Sequence, residues 1–310
     1  MLDPAELLPA DDNGDIEALP TDDEHADDED DSGIKKKPVA KKAPKHAPKK
    51  SYVNKRAPMT AQIVNRMGLK PKSLAELQED KDLKRMGGDQ MDFIELFSPP
   101  RLAPIFKQHG KTKTMSIDVM SGWDLSKPCI RSFVLGQVDK RCPKGMMLSP
   151  PCTSFSCLQT LNLGKMDEQL WQAKCAEGRM LLHFSLKIAE KQHAAGRMFV
   201  LEHPQRATSW QDKEMKKMMS KPGVMMATFD QCRFNLRSKV HHDLHKKSTC
   251  LMTNSAAVHE AFDQMRCTGD HTHVEITGAE GGQSRSSWAS LYPEEMCEAL
   301  VTAMIRDMGV

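Results

Sequence analysis

The sequence has few aromatic residues and no long hydrophobic segment. Phe, Trp and Tyr make up 5% of its 310 residues, so the core must consist mainly of Leu, Val, Ile and the 22 Met, whose flexible side chain fills gaps. No apolar run approaches the roughly 18 residues of a membrane-spanning helix. The acidic N-terminus lacks the basic start and apolar stretch of a secretory signal. We therefore expect no membrane partner.

A disulfide framework is also lacking. The nine cysteines are an odd number and are scattered along the chain. This pattern predicts free thiols in a reducing compartment, where one of them can be chemically active.

Charges of the two signs are separated near the N-terminus. Residues 1–31 carry 14 Asp or Glu and no Lys or Arg, whereas residues 32–60 carry 10 Lys or Arg and no acid. Blocks of like charge repel and stay solvated, and repeated Pro favours an extended chain. We therefore predict a disordered tail at residues 1–60. Its basic part is either a solvated linker or a nuclear-import or phosphate-binding segment.

Short apolar runs alternate with helical patterns in the rest of the chain. After a helical lead-in at 61–90, six runs predict buried strands: 92–97, 114–120, 145–149, 197–203, 224–230 and 249–254. The clearest helical pattern between them is EGRMLLHFSLKIAEKQHAAG, at 177–196. The alternation predicts an α/β domain at 91–310, with a mostly parallel sheet, helices on both faces and a short insert near 255–285.

Polar side chains lie at the ends of several predicted strands. Asp118 lies late in the second strand, and Cys152 follows the third directly after two prolines. Glu202 closes the fourth strand, and the sequence FDQC closes the fifth. Because ligands of parallel sheets bind at the carboxyl ends of the strands, four such groups along one edge predict a functional site there.

The motifs around two of these residues resemble those of a known family. SPPCTSFS, around Cys152, and FVLEHP, around Glu202, resemble the Pro-Cys and Glu-Asn-Val motifs of DNA cytosine-C5 methyltransferases. GRMLLHFSLKIAEKQ is similar to the helix motif between them, IELFSPPRLAPIFKQHG stands in the place of the first cofactor loop, and GWDL resembles a later Asp motif. The similarity covers roughly residues 91–310 and is closest to methyltransferase-like domains carried by protist retroelements.

The resemblance implies a Rossmann-like, S-adenosylmethionine-dependent methyltransferase fold and a nuclear enzyme that methylates C5 of cytosine in DNA, with RNA as an alternative target. Cys152 would add to C6 of the base, and Glu202 would bind the ring near N3. The implied cofactor contacts are Phe97, Asp118, Asp124 and Pro151, and the implied phosphate contacts are Arg233, Lys246 and Lys247. A buried thiol, a capping carboxylate and a solvated basic turn are the purely structural alternatives.

Other features depart from the family. The first cofactor loop reads SPPRLAP and has no Gly before Gly110, and its prolines lack the N–H that a cofactor carboxylate would use. The target-recognition region is reduced to about 35 residues. These departures favour an alternative, a non-catalytic domain that binds nucleic acid. A redox enzyme is a poorer alternative, since Cys157 lies five residues from Cys152 and not three.

The insert contains three residues that can bind a metal ion. Cys267, His271 and His273 are possible zinc ligands, with Cys250 as a possible fourth, but tetrahedral sites normally have a cleaner spacing. The alternative is a polar hairpin turn, and we assign no metal site. Three nearby histidines are expected to be exposed: His241, His242 and His245.

Deletion of residues 35–56 is expected to reduce the salt dependence of nucleic-acid binding. On duplex DNA, each phosphate neutralised by Lys or Arg contributes roughly 0.9 to the slope of log affinity against log salt concentration. Salt titrations of the full chain and of the deletion variant measure the two slopes. An unchanged slope would place the charged contacts in residues 61–310 instead.

Overall fold

The computed structural model describes residues 59–85, 88, 90–156 and 167–309. The tail predicted at 1–60 lies outside these residues except for Met59 and Thr60, which begin the first helix. Cys157 also lies outside them. In chain order the elements are α1 (Met59–Met67), α2 (Leu74–Gln78), α3 (Lys81–Arg85), β1 (Phe93–Leu96), α4 (Leu102–Gln108), β2 (Thr114–Ile117), α5 (Pro128–Arg141), β3 (Gly145–Leu148), α6 (Glu168–Ala194), β4 (Met198–Pro204), α7 (Lys213–Met219), β5 (Met225–Asp230), β6 (Ser248–Thr253), α8 (Ala256–Phe262), β7 (Ala279–Glu280), β8 (Gln283–Ser284), α9 (Arg285–Trp288) and α10 (Glu294–Asp307).

All six predicted strands are present and form one mixed sheet in the order β2-β1-β3-β4-β6-β5. Strands β1 to β4 are parallel, whereas β6 is antiparallel to both β4 and β5. The prediction of a mostly parallel sheet is therefore confirmed. A parallel arrangement of β5 and β6 would need a crossover connection, usually a helix. The connection between them contains one 3₁₀ turn and no α-helix, which suits the antiparallel pairing.

Helices cover both faces of the sheet, as predicted. Successive residues of a strand point to opposite faces of the sheet. On one face, Leu96 and Leu148 belong to a core that includes side chains of α5, α6 and α7. Phe93 and Met147 belong to a second core with α4, α8 and α10. Within the described part of the chain, no helix is both long and apolar enough to cross a membrane.

Glu95 is a buried carboxylate in the otherwise apolar strand β1. It accepts hydrogen bonds at 2.6–3.2 Å from the start of α4 and from β2, the donors being the backbone N–H groups of Arg101, Leu102 and Ala103 and the hydroxyl of Ser116. Burial raises the pKa of Glu95, and these hydrogen bonds act in the opposite direction. The carboxylate thus joins β1, β2 and α4, and it occupies the amide groups with which α4 begins.

The substitution Glu95→Ala is expected to lower the free energy of unfolding by ~2–4 kcal/mol, because several buried donors lose their acceptor. Urea unfolding followed by circular dichroism measures this loss. Glu260→Ala is the control, since it removes an exposed ion pair with Arg306 and should cost about 1 kcal/mol at most. Equal losses in the two variants would show that Glu95 has no special structural role.

Candidate active site

The carboxyl ends of β1 and β3 form the point at which the order of the parallel strands reverses. The chain passes from β1 to β2 on one side and from β3 to β4 on the other. Open α/β sheets bind ligands at such a switch point. The loop after β1 begins at Phe97, and the loop after β3 leads from Ser149 to Cys152. Both loops stand where the sequence predicts a site.

Cys152 lies at the start of a 3₁₀ turn (Thr153–Phe155), four residues after β3. It is a free thiol, as are the other described cysteines, in agreement with the prediction. The loop is held by His203 of β4, whose Nε2 lies 2.9 Å from the carbonyl oxygen of Pro150 and whose Nδ1 lies 2.6 Å from Oγ of Ser209. Complete burial lowers the pKa of His203. A neutral imidazole therefore donates to Pro150 and accepts from Ser209.

Glu202 is buried in β4, next to the loop that carries Cys152. Its Oε2 lies 3.0 Å from the hydroxyl of Tyr292, which is also 2.8 Å from Oγ of Ser149. Because a carboxylate can only accept, the phenol donates to Glu202 and Ser149 donates to the phenol. Oε1 has no hydrogen-bond partner among the described residues and lies 3.8 Å from Nζ of Lys247. A buried oxygen of this kind is costly unless a bound group donates to it.

The charges of this site act on the thiol of Cys152. Burial raises the pKa of Cys152, and the carboxylate of Glu202 raises it further, whereas the ammonium of Lys247 acts in the opposite direction. Cys152 and Glu202 therefore belong to one electrostatic unit. Since the thiolate is the nucleophilic form, a ligand that neutralises Glu202 would favour the reactive state of the cysteine.

Tyr292 is a site residue that the sequence analysis did not identify. It comes just before Pro293, the capping residue of α10. Its ring lies 5.4 Å from the guanidinium of Arg101 and 5.9 Å from the ammonium of Lys247, measured to the ring centroid. Burial and the charge of Glu202 raise the pKa of Tyr292 well above its usual value, so it stays protonated. No local motif in the sequence marks it, because its contacts with Ser149 and Glu202 join segments far apart in the chain.

The structure places the predicted cofactor residues in different surroundings. Phe97 follows β1 with a left-handed φ of 61°, a conformation that favours glycine. Asp118 follows β2 and caps a 3₁₀ turn, and burial raises its pKa. Asp124 is buried and accepts hydrogen bonds from the backbone and hydroxyl of Ser126. Pro151 precedes Cys152. Phe97 and Asp118 therefore lie at the same edge of the sheet as Cys152. Asp124 instead accepts hydrogen bonds within its own loop.

The predicted phosphate contacts differ in their exposure to solvent. Arg233 and Lys246 are exposed, and Nη1 of Arg233 lies 3.5 Å from Oγ1 of Thr268. Lys247 instead lies within the site, with 18% of its side chain exposed. The exposure predicted for His241 and His242 is confirmed.

The prediction for His245 is wrong, because its side chain is fully buried. Its Nδ1 lies 2.7 Å from the carbonyl oxygen of Val274. This contact attaches the segment after α8 to the segment before β6, and a single sequence does not reveal such a long-range partner.

Comparison of the chain with protein-family models, with curated proteins and with solved structures gives no match. The family resemblance of the two sequence motifs therefore stays a prediction. The function must be argued from the geometry of Cys152, Glu202 and the side chains around them.

Opposite effects on the ionisation of Cys152 are expected from two substitutions. Glu202→Gln removes the negative charge that raises the pKa of the thiol, so alkylation at pH 7 should become faster. Lys247→Met removes the opposing positive charge and should make it slower. The rate of iodoacetamide labelling as a function of pH, followed by mass spectrometry of the Cys152 peptide, measures both effects. Equal rates in the three proteins would contradict the electrostatic coupling.

Proposed function

We propose that this edge of the sheet binds a cytosine of DNA and that the protein transfers a methyl group from S-adenosylmethionine to C5 of that base. The observation that supports this most strongly is the pairing of a thiol, Cys152, with a buried carboxylate oxygen, Oε1 of Glu202, that has no hydrogen-bond donor within the described part of the chain. The sheet supports it as well, since a mostly parallel sheet with one antiparallel strand near its edge suits the methyltransferase fold that the sequence motifs suggest.

Glu202 provides the recognition of the base in this proposal. The amino group of cytosine donates hydrogen bonds, so it can supply the donor that Oε1 does not find among the described residues. Tyr292 holds Oε2 at 3.0 Å and so fixes the orientation of the carboxylate. The base must leave the double helix to reach a buried carboxylate, as it does for other enzymes that modify bases.

Cys152 provides the nucleophile. Cys152 adds as the thiolate: its sulfur forms a bond to C6 of the ring, the electron pair of the C5–C6 double bond moves to C5, and a proton carried by Glu202 neutralises the charge that develops at N3. C5, made nucleophilic in this way, would then take the methyl group from the bound cofactor, with the cofactor's sulfur as the leaving group. Loss of the C5 proton to a base restores the double bond and releases the thiolate, and N3 returns its proton to Glu202.

The fit of the chain to S-adenosylmethionine differs between the two ends of the cofactor. Phe97 and Asp118 offer an aromatic ring and a carboxylate for adenine and ribose at the ends of β1 and β2. The methionine end finds fewer donors, because Pro99 and Pro100 have no N–H and Glu95 occupies the amides at the start of α4. When bound, the cofactor supplies the electrophilic methyl group.

The occupied amides favour a second candidate function. A domain that has lost the cofactor can still bind a nucleobase at Glu202, since that contact does not depend on the first loop. In this case the protein is a nucleic-acid-binding relative of the methyltransferases without catalytic activity. Binding of S-adenosylmethionine distinguishes the two functions, and titration calorimetry measures it directly.

The covalent step is tested with a DNA duplex that contains 5-fluorocytosine, in the presence of S-adenosylmethionine. Fluorine cannot leave as the C5 proton does, so the enzyme stays bound to the base and a denaturing gel shows the adduct. Cys152→Ser should abolish the adduct, because a hydroxyl is far less ionised than a thiol at neutral pH. Glu202→Gln should slow its formation by about 10²- to 10⁴-fold, the usual contribution of a proton donor.

The control for this experiment is Cys129→Ser, which changes an exposed thiol on α5 and should leave the adduct unchanged. Binding of the cofactor without any adduct would exclude the catalytic proposal. Absence of cofactor binding, together with DNA binding that is weakened by Glu202→Gln, would support the second candidate function instead.

A further inference from the structure

Four metal-binding side chains converge beyond the end of β5. Cys232 belongs to a 3₁₀ turn (Gln231–Phe234) that follows β5, whereas Cys267, His271 and His273 belong to the segment between α8 and β7. One ligand atom of each residue lies within 4.8 Å of those of the other three. We propose that Cys232, Cys267, His271 and His273 bind a structural zinc ion.

The distances between these atoms suit a tetrahedral site. With Zn–S bonds of ~2.3 Å and Zn–N bonds of ~2.0 Å, neighbouring ligands of a tetrahedral zinc lie about 3.5 Å apart. Sγ of Cys267 lies 3.5 Å from Nε2 of His271 and 3.5 Å from Nε2 of His273. A single thiol proton can serve only one of these two nitrogens, whereas one cation accounts for both contacts.

Groups around the four ligands hold them in place. Nδ1 of His271 lies 2.6 Å from Oδ1 of Asp270, which leaves Nε2 to face the other ligands; a carboxylate on the second nitrogen is common for histidines that bind zinc. Sγ of Cys267 accepts a hydrogen bond of 3.4 Å from the N–H of Gly269. The backbone N–H of Cys267 donates to Asp230 at 2.9 Å. Gly269 makes this turn possible with a φ of 78°.

The ligand set identifies the class of metal and the kind of site. Two thiolates and two imidazoles in a tetrahedron suit zinc better than magnesium or calcium, which prefer oxygen ligands. Four protein ligands leave no open position for water or substrate, so the ion has a structural and not a catalytic role.

Cys250, which the sequence suggested as the fourth ligand, is not part of this cluster. It lies in β6, and its Sγ is 3.6 Å from Oγ1 of Thr228 on the neighbouring strand β5. Cys232 takes the fourth place, although 34 residues separate it from Cys267 in the sequence. The spacing of Cys267, His271 and His273 in the sequence indicates three of the four proposed ligands.

The proposed zinc would stabilise the segments that carry Lys247. The residue before Cys232, Gln231, donates its backbone N–H to the carbonyl oxygen of Lys247 at 3.0 Å. Asp230, which holds the backbone of Cys267, also accepts a hydrogen bond of 2.5 Å from Ser248. The metal would thus attach the segment after α8 to the strand β6 and to the edge of the candidate active site.

Metal analysis of the full chain, produced in zinc-supplemented medium, is the first test. We expect one zinc ion per chain after dialysis, and X-ray absorption should show two sulfur and two nitrogen neighbours at about 2.3 and 2.0 Å. A content far below one ion per chain, or a shell of oxygen neighbours, would overturn the proposal. This test needs no substitution and does not depend on methyl transfer.

Substitution of single ligands then tests the assignment. Cys232→Ser and His271→Ala should each lose most of the zinc, whereas Cys250→Ser, the matched cysteine outside the cluster, should retain it. Circular dichroism and gel filtration show whether the compared proteins are folded. If a variant does not fold, the X-ray absorption spectrum of the unaltered protein decides whether the proposed zinc site exists. Retention of zinc by Cys232→Ser together with its loss from Cys250→Ser would overturn the assignment.

Discussion

The burial of the Glu202 carboxylate is the interaction on which the candidate site depends. A buried carboxylate needs donors or a neighbouring positive charge, and this chain supplies them from distant segments, Tyr292 before α10 and Lys247 before β6. Tyr292 in turn contacts Ser149 in the loop of Cys152. One carboxylate therefore brings together three loops at the edge of the sheet, and it also raises the pKa of the thiol that lies beside it.

Glu95 is a second buried carboxylate, but its hydrogen bonds differ from those of Glu202. This carboxylate is also buried at the edge of the sheet, but the start of α4 and Ser116 satisfy both of its oxygens. Among the residues that the structure describes, Glu202 keeps one oxygen without a hydrogen-bond donor. A fully paired carboxylate contributes to stability, whereas a partly paired one pays an energetic cost that a ligand can remove. This difference is the physical reason to place function at Glu202 and structure at Glu95.

The sequence allows much of the fold to be predicted, because each strand is a short, mostly apolar run bounded by polar or turn-forming residues. It also predicts a site at Cys152 and Glu202, because each of them stands at or just beyond the end of a predicted strand. The direction of β6 could not be predicted, because it depends on which strands become neighbours. Tyr292 at the candidate site, and Cys232 as a ligand of the proposed zinc, could not be predicted for a related reason: both roles depend on contacts with segments far away in the chain, and no local pattern records such contacts.

In the proposed reaction, the raised pKa of Cys152 has a consequence for the order of events. In the unliganded site, burial and Glu202 both favour the neutral thiol, so the cysteine is protected from adventitious alkylation and oxidation. A base that donates to Oε1 of Glu202 spreads the negative charge of the carboxylate into a hydrogen bond and weakens its effect on the sulfur. The positive charge of Lys247, which lowers the pKa of Cys152, then has the larger relative effect. Recognition of the base and activation of the nucleophile would thus be coupled through one carboxylate.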